Sequence, residues 1–77
     1  MALITDAATG WSSPVTLTED EVWQTRDGAV YLTTSASPGG DDGILLTETT
    51  AIQLGAGRTV RYRKVGDVPA VIARELV

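Results

Sequence analysis

No window of about eleven residues in this chain repeats apolar side chains at helical spacing without a Gly, a Pro or a cluster of Thr interrupting it, and this lack most limits the fold. Helices are thereby excluded as the framework. Eleven Thr and eight Val supply β-branched side chains that sit well on a pleated surface. Turn-forming residues divide the chain into about six to seven short runs at eight- to twelve-residue spacing, the pattern of a small antiparallel β-sandwich or barrel. The expected class is all-β.

Two hairpins are expected from their turns. Glu21-Val-Trp-Gln-Thr-Arg and Ala29-Val-Tyr-Leu-Thr-Thr flank Asp27-Gly28, a pair suited to a type I′ turn. Pairing Arg26 with Ala29 sets Thr25 opposite Val30 and Trp23 opposite Leu32 on one core-facing side. Val22, Gln24, Arg26, Ala29, Tyr31 and Thr33 then share the other face, with an apolar patch at Val22 and Tyr31. The second hairpin joins Arg58–Val65 to Val68–Val77 across Gly66-Asp67 and places Tyr62 opposite Val71 and Val60 opposite Ala73. In that register Arg61 and Arg63 lie outward with Ala70 and Ile72. Pro69 cannot donate to a ladder, so the last strand is expected to begin as an edge or beside a bulge.

Between the hairpins, Ser35 to Gly43 is a run of turn formers and is read as a loop. Short strands follow at Gly43-Ile-Leu-Leu and Thr50-Ala-Ile-Gln-Leu, and Leu54-Gly-Ala-Gly57 marks a change of direction. Residues 1–13 are small and polar apart from Leu3, Ile4 and Trp11, and are read as an extended N-terminal arm that packs poorly on the single β-domain of residues 14–77. The expected core comprises Trp11, Val15, Leu17, Trp23, Val30, Leu32, Ile44, Leu46, Ile52, Leu54, Val60, Tyr62 and Val71. That core is thin for 77 residues without a disulfide, so oligomerisation is expected to supply stability.

The absence of Cys and His removes thiolate nucleophiles, imidazole bases and Cys/His zinc sites. Asp20 with Glu21, and Asp41 with Asp42, are neighbours in sequence without the alternation of a calcium loop, and so small a sandwich offers little cleft to hold a substrate between carboxylates. No catalytic residue, cofactor site or metal site is therefore expected. Gly55 and Gly57 lack the remainder of a phosphate-binding pattern. Ten acidic against six basic residues give a net charge of −4, which disfavours nucleic acid and anionic membranes as partners. No apolar run is long enough for a membrane helix, and the start lacks the features of a signal peptide. Arg58, Arg61, Arg63 and Lys64 nonetheless fall in one window, a charge asymmetry suited to docking.

The run from Glu21 to Thr34, followed by a Pro/Gly loop, Gly43-Ile-Leu-Leu, Ala51-Ile-Gln-Leu and Gly57-Arg-Thr-Val-Arg-Tyr-Arg, resembles the small β-rich accessory virion proteins of tailed bacteriophages and gene transfer agents. The resemblance spans about Glu21 to Arg63 and rests on a strand ending in Gln, an "Ile-x-Leu" strand and a "Gly-x-x-Val-x-Tyr" strand. It implies a structural virion protein, assembled in the host cytoplasm, that decorates or cements a capsid or forms the base of a head fibre or spike. Its implied partners are copies of itself, as trimers or pentamers, and the major capsid protein or another virion protein. Alternatives are a tail subunit or adaptor, or a small oligonucleotide-binding module that would use Arg61-Tyr62-Arg63. The residues expected at contacts are Leu3, Ile4, Trp11, Val22, Tyr31, Arg61, Arg63 and Arg74.

Overall fold

A computed structural model of the chain describes residues 2–40 and 42–77, so Met1 of the expected arm and Asp41 of the expected acidic pair lie outside the described residues. Among the described residues there are eight strands: β1 (Ala2–Ile4), β2 (Val15–Thr16), β3 (Glu21–Asp27), β4 (Val30–Thr33), β5 (Ile44–Leu46), β6 (Ala51–Leu54), β7 (Thr59–Lys64) and β8 (Val71–Leu76). The all-β class holds, and among the described residues there is no helix.

The strands form two antiparallel sheets, β1-β8-β3-β6 and β2-β7-β4-β5. Antiparallel partners nest about the centre of the chain: β4 with β5, β3 with β6, β2 with β7 and β1 with β8. Additional ladders, β3 with β8 and β4 with β7, close each sheet. A chain folded once into a long double ribbon and then rolled so that its inner and outer strands meet has this order. It is the eight-stranded jelly roll. Of the sequence-adjacent strand pairs, β4 and β5 share a ladder; the others are joined across the sandwich or without pairing.

Both expected hairpins are therefore corrected. β3 and β4 lie in opposite sheets, and so do β7 and β8. The face assignment for the first pair nevertheless survives, because Trp23, Thr25, Val30 and Leu32 all point into the same core, from opposite sides. Gly28 marks where the turn arches over between the sheets. Its φ is +70°, and a Cβ there would stand 2.5 Å from the Pro69 carbonyl oxygen, so the β3–β4 arch rests directly on the segment leading into β8.

In β8 the expected parity is reversed. Ile72 and Ala70 are buried in the core, while Val71 is only half-buried. The register of β3 against β8 shifts between Thr25 and Asp27, a bulge facing the start of β8, as a neighbour of Pro69 was expected to have. β8 is not an edge, since β1 and β3 flank it.

The core runs between the sheets and contains Leu17, Trp23, Val30, Leu32, Leu46, Leu54, Val60, Tyr62 and Ile72. Trp23 and Tyr62 meet edge to face across it, with ring centroids 6.3 Å apart. Thr25 is fully buried and donates its hydroxyl proton to the Leu46 carbonyl in the opposite sheet. Ile44, expected inside, is exposed at the sandwich edge, and Trp11, Val15 and Ile52 are only partly covered.

The N-terminal segment lies on the domain and is no loose arm. β1 pairs with β8 in the register Leu3↔Ala73, and Ile4 packs against the core. Farther along, the Ala8 carbonyl accepts from the Lys64 amide, the Ser12 amide donates to the Tyr62 carbonyl, and the Asp6 carboxylate accepts from the Tyr62 hydroxyl at 2.6 Å.

Candidate interaction surface

Rolling the chain this way divides the eight expected contact residues among three environments. Ile4 and Arg74 project from the inner side of the first sheet. Leu3 and Val22 lie on that sheet's outer face. Tyr31, Arg61 and Arg63 occupy the outer face of the second sheet, with Trp11 laid over them.

On the second sheet, the ladder pairs Tyr31 with Arg63 and Thr33 with Arg61. The Arg63 guanidinium stands 4.2 Å from the Tyr31 ring centroid and 5.1 Å from that of Trp11, a cation held between two aromatic faces. Its Nη2 donates to the Gly40 carbonyl, and the Trp11 indole N–H donates to the Gly39 carbonyl at 2.9 Å. Arg61 donates to the Ser35 and Ala36 carbonyls at 3.0 and 2.6 Å. Within the loop, Asp42 accepts from the Gly39 amide. Backbone carbonyls with no strand partner are thus satisfied by strand-borne guanidinium groups, which fastens residues 35–40 over the sheet. Thr33, expected on an open face, is buried beneath it and accepts from the Ser35 amide.

Arg74 closes one end of the core. Its Nε and Nη2 meet the two Glu21 carboxylate oxygens at 2.8 and 2.9 Å, and the Trp23 indole donates to the same carboxylate. Arg74 also stacks over the Trp23 ring at 4.9 Å. The Arg74 hydrogen bonds hold the Glu21 carboxyl below the usual range despite its burial, and the same contact raises Arg74. Burial, followed by the bond to Asp6, pushes the Tyr62 phenol up to about 12. These groups have partners inside the chain and are built for structure.

The outer face of the first sheet is different. One row crosses all four strands, Leu3–Ala73–Gln24–Ala51, and the next carries Glu75–Val22–Gln53. The small Ala side chains leave a shallow depression of about 280 Å³ bordered by Val22, Gln24, Arg26, Ala51, Ala73 and Glu75. Leu3, which pairs with Ala73, is 53 % exposed. The surface is mixed in polarity, with apolar Val22 and Ala51 beside Gln24, Gln53 and the charged Arg26 and Glu75. Among the described residues no three acidic side chains group as a metal site.

The sequence pattern alone does not point to the cation–π stack or the Glu21–Arg74–Trp23 cluster. Tyr31 and Arg63 both alternate outward in sequence, but their adjacency requires the β4–β7 ladder. No helix among the described residues is long and apolar enough to cross a membrane. No protein-family model, curated protein or solved structure matches the chain.

Proposed function

We propose that this chain is a non-catalytic structural subunit of a tailed-phage virion or phage-like particle, where it decorates or cements the capsid, or forms the base of a head fibre or spike, as a trimer or pentamer. The observation carrying the proposal is the outer face of the β1-β8-β3-β6 sheet, on which exposed Leu3 and Ala51 and half-buried Val22 and Gln24 lie in adjacent rows around a shallow depression. Fold-level analogy adds support, because viral coat domains use the jelly roll; lectin domains and cupins use it as well, so the surface must carry the argument. In this role the subunit binds its neighbours only when folded and assembled, and stabilises the particle by mass action.

A single-stranded nucleic-acid module draws less support. Tyr62 is buried, and Arg61 and Arg63 are engaged by the loop, which leaves no stacking platform beside a free basic strand. The test is quantitative mass spectrometry of particles purified from the organism that encodes the chain. The expected result is a fixed copy number relative to the major capsid protein. Its absence from intact particles would contradict the proposal.

A further inference from the structure

β5 is an edge strand with the composition of an interior one. It consists of Ile44, Leu45 and Leu46, with no charge, Pro or bulge to blunt its unpaired side. Of the other sheet edges, β2 carries Thr16 and β6 carries Ala51 and Gln53; β1 is also uncharged, with Leu3 exposed on its outer face, but its inward Ile4 packs against the core, whereas β5 has an exposed aliphatic side chain on each face. Ile44 pairs with Leu32 on the inner side and is 47 % exposed; Leu45 pairs with Tyr31 on the outer side and is 51 % exposed. An edge strand with aliphatic groups uncovered on both of its faces is suited to one more strand beside it. Below Ile44, the gap toward β6 opens a crevice of about 370 Å³ lined by Leu32, Ile52 and Leu54, deep enough to take an inward side chain of the incoming strand.

Charge selects the occupant. Exposed Asp42 precedes β5 and exposed Glu48 follows it. A second copy pairing its own β5 antiparallel would set Asp42 against Glu48 of that copy at both ends, an arrangement of like charges. A segment carrying Lys or Arg at both ends meets an acid at each end in either direction. We propose that β5 is a strand-addition site for an extended segment of a different protein, with alternating aliphatic residues flanked by basic ones. The contact combines main-chain ladder bonds, an aliphatic side chain seated in the crevice, and charge complementarity at the ends. It goes beyond the particle assignment and uses a different surface from the sheet face.

The test is fluorescence anisotropy with a labelled peptide of about nine residues, alternating Val and Thr with two Lys at each end, against the same peptide ended by Glu. The Lys-ended peptide is expected to bind at least about tenfold more tightly, with the advantage shrinking as salt rises. Leu45→Lys should abolish binding, and Asp42→Asn with Glu48→Gln should remove most of the preference while leaving the domain folded. Amide exchange at residues 44–46 should slow when the Lys-ended peptide is added. Equal affinity for both peptides, binding unaffected by Leu45→Lys, or protection at another edge would overturn the proposal. Protection of residues 44–46 that grows with protein concentration without peptide would assign the edge to a second copy, and would also overturn it.

Discussion

The two outer faces of the sandwich are built from strands of similar length, yet one is closed by the chain itself and the other is left open. On the second sheet, Arg61, Arg63 and Trp11 fasten residues 35–40 through their carbonyl groups. On the first sheet, no loop among the described residues is fastened by side chains across the Leu3–Ala73–Gln24–Ala51 row, and Gln24 donates to the Thr49 carbonyl at its side. Basic residues clustered in sequence are therefore not equivalent to a basic docking surface. Where guanidinium groups complete the hydrogen bonding of a loop, their removal should lower stability; where a face has no loop fastened across it, substitution of an outward apolar residue such as Val22 should change association and spare the fold.

The largest expected effect lies in the core that both faces share. Glu21→Ala leaves the Arg74 guanidinium and the Trp23 indole without their common acceptor and should cost about 2–4 kcal/mol in denaturant unfolding. The pair also has a pH signature. Because folding lowers the Glu21 pKa, the native state gains stability above the unfolded value of about 4.3, and loses it as pH falls through the folded value. A Glu21→Gln variant should show a shallower acid loss. For Tyr62 the sign is opposite: its raised pKa favours the protonated native state, so stability should fall as pH rises from about 10 toward 12.

The closed face comes next. Gly43 has φ +101°, and a Cβ there would lie 2.9 Å from the Trp11 ring and 3.0 Å from the Leu32 carbonyl oxygen. Gly43→Ala should cost about 1–3 kcal/mol and shift tryptophan emission to the red as the loop lifts. Arg63→Ala should cost about 1–2 kcal/mol, with faster proteolysis within residues 35–43. On the open face, Val22→Lys should alter stability by no more than about 0.5 kcal/mol. A loss there as large as that of Arg63→Ala would erase the distinction between the faces.

Much of this architecture is legible in the sequence, strand by strand. Alternation in Glu21–Asp27, Val30–Thr33 and Thr59–Lys64 identifies Trp23, Thr25, Val30, Leu32, Val60 and Tyr62 as inward, and all are buried. Alternation does not say which strand lies alongside. Asp27-Gly28 accommodates a positive φ in either a hairpin or an arch between sheets, and Pro69 pressing on Gly28 is a long-range contact. The parity of β8 is misread for the same reason: it follows from pairing with β3 across a bulge, not from a turn at Gly66. For the candidate contacts, Leu3 and Val22 are found at an open face. Arg61, Arg63 and Arg74 have partners within the chain that the sequence does not reveal, because the carbonyl groups and the carboxylate that engage them are far away in sequence.

The most direct test of the two-face account is the native mass of the wild-type chain, Val22→Lys and Arg61→Glu, by light scattering behind a sizing column at matched concentration. The account predicts a stable oligomer for the wild type, the same oligomer for Arg61→Glu, and a folded monomer for Val22→Lys. A monomeric wild type, or an oligomer that survives Val22→Lys and dissociates with Arg61→Glu, would contradict it.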